Sequence, residues 1–306
     1  MNADDSNGSM AVILAGGRGT RLAPYTTVIP KPLLPIGDEP ILDVVLRQLA
    51  WHGFTDITLA VGYLAHLIEA VFRDGSHLGV SLRYHHETHP LGTVGPLTGI
   101  DDLADTFLMM NGDVLTTLDY GDLFDAHTSS GNALTVATHV RTVTSDYGVL
   151  ELDGASGATR RVVGFREKPA IDHSVSMGVY VVDRRVCQYI PFDEPFDLPD
   201  LVGVLLEAGE QVGSYAYDGF WLDIGRHDDY EKAIAEYEPL KNMFLQSSGT
   251  RPGKPRGRVS RNGGSSNGAS AAARNGNGNG ARPAGNSDGA TSSRTGTTSV
   301  PAEGTA

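Results

Sequence analysis

The chain has 306 residues and a formal net charge of −13, with 37 Asp and Glu against 24 Lys and Arg. This length suits one large domain with flanks, and so acidic a balance argues against a general nucleic-acid surface. A single cysteine, Cys187, excludes an intramolecular disulfide framework and a thiolate metal site. No apolar run reaches the length of a membrane-spanning helix, and the N-terminus lacks the charged-then-apolar pattern of a signal peptide, so a cytoplasmic location is expected. Residues 1–9 and 246–306 are too poor in apolar side chains to bury a core, and both are expected to be disordered. The tail from Ser247 carries eight basic residues against Asp288 and Glu303, a charge of +6 that leaves −19 on the remainder.

The apolar run Ala11–Leu14 predicts a buried strand that feeds Gly16, Gly17 and Gly19. After a long loop, Ile41, Val44, Val45, Gln48 and Leu49 fall on one helical stripe with Gly53 as the stop. Ile57–Val61 predicts a second strand, Tyr63–Arg73 a helix and Val80–His85 a third strand. Such alternation implies right-handed crossovers and a parallel sheet, whose phosphate sites lie beyond the carboxyl ends of the strands. From Leu91, LGTVGPLTGI reads as a glycine-bearing turn into a short helix, and Thr106–Met110 as a strand ending in Asn111-Gly112-Asp113. Ala133–Val140, Gly148–Leu152, Arg161–Phe165 and Val175–Val182 read as strands with few helices between them, predicting an antiparallel lobe laid over the same sheet edge. Leu198–Ala208 then predicts a helix, Gln211–Tyr217 a strand and Asp228–Tyr237 a closing helix.

The opening loop is not the dinucleotide fingerprint, because Thr20, Arg21 and Leu22 stand where the third glycine belongs; nor is it a Walker loop, because no Gly-Lys-Ser/Thr closes it. Its glycines let backbone N–H groups approach an oxyanion, and Arg21 and Lys31 supply fixed positive charge. AGGRGTRL followed by PKPLLP resembles the sugar-1-phosphate nucleotidylyltransferases, the pyrophosphorylases that make nucleotide sugars. The resemblance implies a Rossmann-like three-layer α/β/α fold over residues 10–245, with a mostly parallel mixed sheet of nucleotidyltransferase or GT-A type and a small antiparallel sugar-binding lobe. It also implies that Ala15, Gly16, Gly17, Gly19, Thr20, Glu87, Gly92 and Thr93 bind the nucleotide, that Arg21 holds the departing pyrophosphate and that Lys31 contacts the phosphates.

Asp113 and Asp223, the latter in Trp221-Leu222-Asp223-Ile224-Gly225, each follow a predicted strand. By the resemblance they grip a magnesium ion, and the chemistry agrees: a nucleoside triphosphate near two carboxylates is repelled unless a cation intervenes, and hard oxygens suit Mg²⁺. In Gly164-Phe165-Arg166-Glu167-Lys168-Pro169 the proline forbids a helix just past the pair. The resemblance gives Glu167 to the sugar hydroxyls and Lys168 to the sugar phosphate, with Gly148 and Ser176 completing the sugar side; many relatives carry Asn where Ser176 stands. In-line displacement at the α-phosphorus then needs positioning and charge neutralisation rather than a general base.

Glu87 bears on the base. A carboxylate accepts both N1–H and N2–H of guanine but faces the carbonyls of thymine or uracil unfavourably, so GTP is expected. The resemblance is closest to the mannose- and heptose-1-phosphate guanylyltransferases. A thymidylyl- or uridylyltransferase acting on glucose 1-phosphate is the alternative, and an inactive nucleotide-sugar-binding regulatory subunit is the reading from another class. The expected partners are NTP and a sugar 1-phosphate, with a homo-oligomer open and neither membrane nor specific nucleic acid expected. The sugar stays open.

Overall fold

A computed structural model describes residues 9–154 and 159–245. The disorder expected for the N-terminal flank and for the tail concerns segments outside the described residues, save that Ser9 already belongs to the first strand. In chain order the elements are β1 (Ser9–Ala15), β2 (Pro35–Ile36), β3 (Glu39–Pro40), α1 (Ile41–Trp51), β4 (Phe54–Val61), α2 (Ala65–Phe72), β5 (Ser81–His86), β6 (Thr106–Asn111), β7 (Val114–Thr116), α3 (Tyr120–Ser130), β8 (Leu134–Thr144), β9 (Val149–Leu152), β10 (Val162–Arg166), β11 (Ala170–Asp183), α4 (Leu198–Glu207), β12 (Val212–Ala216), β13 (Trp221–Asp223) and α5 (His227–Phe244).

Seven strands form one sheet in the order β12-β8-β11-β6-β1-β4-β5. All neighbours are parallel except β11, which runs antiparallel to β6 and to β8. The central strands read as continuous apolar runs because both their faces are covered. Side chains alternate across a strand, so Ala11, Ile13 and Ala15 of β1 enter one core with α1 and α2, while Met10 and Val12 enter another with Leu201 and Leu205 of α4. Helices thus cover both faces, giving the three layers. A third core ties α1 and α5 to the glycine loop through Leu22, Leu34, Ile36, Ile41, Tyr230 and Phe244.

The second half of the chain departs from the expected arrangement. Its strands β8 and β11 join the main sheet instead of lying over its edge, and β12 pairs parallel with β8. Only the outer part of the β8–β11 ribbon, where Ala170–Ser176 pairs with Thr144–Thr138, and the β9–β10 hairpin form the antiparallel lobe. Between β7 and β8 the sequence signals of α3 are weak: it buries only Tyr120, Gly121, Leu123 and His127, and its legible feature is Asp119, whose carboxylate accepts from the N–H groups of Gly121 and Asp122. Helix α5 runs past the expected stop at Tyr237 and through Pro239, because Phe244 packs onto Tyr237 and Phe220 at its far end. Among the described residues no helix is long and apolar enough to cross a membrane.

Candidate active site

The loop after β1 is folded by its own backbone before any ligand is considered. Gly19 takes φ 61°, a left-handed conformation open to glycine, and a β-carbon there would stand 3.0 Å from the Thr26 side chain. The buried Thr26 hydroxyl donates to the Gly19 carbonyl at 2.8 Å, and buried Leu22 anchors the turn in the third core. The Gly16 carbonyl accepts the Tyr63 N–H at 3.2 Å, which fixes the loop to the end of β4. Gly17 has no atom within 4 Å of its open side, and Gly17, Thr20 and Arg21 are exposed, while Ala15 is buried at the strand end. Gly17, Thr20 and Arg21 thus stand exposed beyond the carboxyl end of β1.

Asp113 and Asp223 lie 110 positions apart in sequence, and strand pairing brings them together. The short β7 and β13 run antiparallel with Asp223 opposite Val114, and the Ile224 N–H donates to the Asp113 carbonyl at 3.2 Å. Across the loop Lys31 reaches in: its ammonium forms an ion pair with Asp113 Oδ2. Asp113 Oδ1 is buried and has no hydrogen-bond partner among the described residues. The surrounding protein and the negative charge of Asp113 push the Asp223 carboxyl above the usual carboxylate range, against the pull of Lys31 and Arg21. Arg21, Asp223 and Asp229 gather about Gly225, each placing an atom 3.7 Å from where a β-carbon would sit. Two crowded carboxylates, one with an orphaned oxygen, suit a hard divalent cation. No group of three or more His, Cys, Asp and Glu able to hold a metal occurs among the described residues, so such an ion would take its remaining oxygens from phosphates and water.

Glu87 lies at the loop as well. Its carboxyl group fills the space a β-carbon on Gly16 would need, and its Oε2 accepts from the Leu91 N–H at 3.2 Å. Burial pushes its pKa up, partly offset by the Leu91 bond. The neighbouring histidines behave as strand geometry dictates: the His85 ring packs at Gly99 and His86 pairs with Glu69.

The sugar-side candidates divide. Ser176 sits at a bulge in β11, where the register shifts between Ser176 and Tyr180. Its hydroxyl bonds the Tyr180 hydroxyl at 3.0 Å and accepts the Gly178 N–H at 3.3 Å. A cavity of about 390 Å³ opens here, lined by Thr93, Asn111, Ser176, Gly178, Tyr180, Asp197, Trp221 and Asp223 among others. Thr93, expected on the nucleotide side, lines this cavity, and Gly92, at φ 76°, packs against the Phe196 carbonyl. On the lobe, Glu167 stands beside Gly148, its Oε2 3.1 Å from where a Gly148 β-carbon would lie. Glu167 and Lys168 are exposed, and Lys168 holds φ 43°, which costs a non-glycine residue roughly 1–2 kcal/mol. Sequence reasoning gave no role to Asn111, Asp197 or Trp221. The first and third lie inside motifs already noted, whereas Asp197 has no local signal.

A Rossmann-like sheet with a glycine loop, two cations and paired carboxylates at one rim defines a nucleotide-handling α/β protein. Residues 10–239 match the nucleotidyl transferase family, and the chain belongs to it. It is 34% identical over 265 residues to a UTP–glucose-1-phosphate uridylyltransferase of Synechocystis, covering 79% of this chain and 67% of the relative. It is also 34% identical over 233 residues to a mannose-1-phosphate guanylyltransferase of Mycobacterium tuberculosis, covering 74% and 64%. The chain thus spans about two thirds of the length of these relatives. HddC from Yersinia pseudotuberculosis, crystallised with GMP-PN, is similar in structure with a TM-score of 0.57 and 25% identity, over 75% of this chain and 99% of that one.

Proposed function

We propose that this protein transfers a nucleoside monophosphate, from GTP by preference, to a sugar 1-phosphate. A phosphate oxygen of the sugar attacks the α-phosphorus in line, the bond from that phosphorus to the bridging oxygen breaks, and pyrophosphate leaves. The observation that carries this reading is the convergence of Lys31, Arg21, Asp113 and Asp223 at the mouth of the glycine loop. Asp113 and Asp223 would hold magnesium, which would neutralise phosphate charge and orient the reacting oxygens. The loop glycines cradle the triphosphate, Arg21 draws off the pyrophosphate and Lys31 steadies the phosphates around the α-phosphorus. Gly148, Glu167, Lys168 and Ser176 receive the sugar phosphate, which requires the lobe to bring Lys168 over the rim.

Guanine is supported by the half-buried Glu87 carboxylate beside Gly16, a double acceptor placed where the base would meet the loop. Uridylyl transfer is the second reading, because the relative named for UTP is as similar as the one named for guanylyl transfer. The test is pyrophosphate release by the purified chain with Mg²⁺, GTP and mannose, heptose or glucose 1-phosphate. Release that needs both substrates and stops on chelation supports the transfer; release without sugar phosphate, or none with any base, removes it.

A further inference from the structure

Asp197, the residue before α4, lines the cavity that holds Ser176 and Asp223. An aspartate in that position ordinarily turns back to accept the first N–H groups of its helix, and Asp197 does not. Its Oδ1 instead accepts the Thr93 N–H at 2.9 Å and the Thr93 hydroxyl at 3.1 Å. That hydroxyl in turn accepts the Leu198 N–H at 2.7 Å. Thr93 therefore performs the capping, and its two bonds hold the Asp197 side chain by Oδ1 while Oδ2 has no hydrogen-bond partner among the described residues.

Charge gives the cavity a direction. Lys31 and Arg21 act on Asp223, whereas no ion pair forms at Asp197 among the described residues. A sugar 1-phosphate is anionic at one end and a donor of hydroxyl hydrogens at the other. Its phosphate is drawn toward the cations and repelled from Asp197, and its distal hydroxyls are suited to a fixed carboxylate oxygen. We propose that Asp197 is a specificity-determining residue, whose Oδ2 accepts hydrogen bonds from sugar hydroxyls remote from the phosphate. The acceptor class is then a sugar 1-phosphate with free hydroxyls at that end, not a deoxy or alkylated one. This rests on the transfer reading above.

The test is a substrate–variant cycle on the full chain, with kcat/KM read by pyrophosphate release. Glucose, mannose and heptose 1-phosphates and the monodeoxy forms of the best acceptor are compared in wild type, Asp197→Ala and Asp197→Asn. In wild type at least one deoxy acceptor is expected to fall about 10- to 100-fold, the size of a lost hydrogen bond to a charged group. In Asp197→Ala the parent sugar falls by a similar factor and the deoxy penalty shrinks to about twofold. Asp197→Asn keeps an Oδ1 for Thr93, so it is expected to fold with an unchanged Tm, to recover part of the parent rate, and to leave the KM for nucleotide as in wild type. Wild-type turnover with no deoxy penalty, or with a penalty that persists in Asp197→Ala, overturns the assignment alone. Wild type inactive on every pair overturns the transfer reading and the assignment together.

Discussion

Asp113 Oδ1 and the Glu87 carboxyl group are the two places where a single side chain decides what the site can do. The first is a buried acceptor without a donor among the described residues, and the second is a carboxyl crowded against a glycine. Asp113→Ala or Asp223→Ala is expected to lower kcat by about 10³-fold or more, the scale of losing a charge-stabilising group, with far-UV circular dichroism unchanged; near-normal turnover in either variant removes the metal assignment. Glu87→Gln is expected to cut the GTP-to-UTP ratio of kcat/KM by about tenfold or more, and an unchanged ratio rejects Glu87 as the base reader. The same variant tests a titration. Burial raises the folded pKa of Glu87, so the folded state binds this proton more tightly than the unfolded chain. Its stabilising contribution is complete below the ordinary carboxylate range and is lost as pH rises through the raised value. Thermal melts across that window should decline less with pH in Glu87→Gln than in wild type. These residues were legible in the sequence because their types and spacing are chemical statements in themselves. Asp197 was not, because its partner Thr93 lies 104 positions away and only the fold joins them.

At the level of elements, the site depends on two features that periodicity does not announce. One is the bulge in β11. Gly178 takes φ 74°, and a β-carbon there would sit 2.8 Å from Asn111 Nδ2, so Gly178→Ala is expected to destabilise the fold by about 1–2 kcal/mol in urea titrations and to raise the KM for sugar phosphate by displacing Asn111. The other is α5, which holds the glycine loop from outside: the His227 ring bonds the Ala23 carbonyl at 2.9 Å, and the Tyr230 hydroxyl donates to the Pro35 carbonyl at 2.7 Å. Its last turn is fastened by buried Phe244, so Phe244→Ala should cost about 3–5 kcal/mol, read from chemical denaturation. The helix expected over Asp228–Tyr237 continues through Pro239, a residue that ordinarily stops a helix, because the contacts of Phe244 hold its last turn. Likewise α3, with few buried positions, leaves little periodic trace. Strands β1, β4 and β6 were legible for the opposite reason, since burial on both faces makes each a plain apolar run.

Over the whole molecule, the parallel half and the mixed half of one sheet share a rim. β1, β5 and β6 bring the glycine loop, Glu87 and Asp113 to it, while β11, and β13 through its pairing with β7, bring Ser176 and Asp223. The alternation of the first half predicted its parallel strands. Strands β8 and β11 were found but placed over the sheet edge, because antiparallel strands do not reveal in sequence which neighbour they join. The family match ends at residue 239 and the described residues at 245, so a chain truncated after Leu245 is expected to keep kcat/KM within about twofold; a larger loss would assign the basic tail a part in catalysis. Whether a triphosphate at the loop and a sugar phosphate in the cavity meet in one transfer is read from a matrix of GTP, ATP, UTP, CTP and dTTP against mannose, heptose and glucose 1-phosphates with Mg²⁺, with pyrophosphate and nucleotide sugar measured together. Equimolar formation of both products, greatest with GTP, is the expected result. Equimolar formation greatest with UTP or dTTP would contradict the guanine reading, and no nucleotide sugar from any pair would contradict the transfer itself.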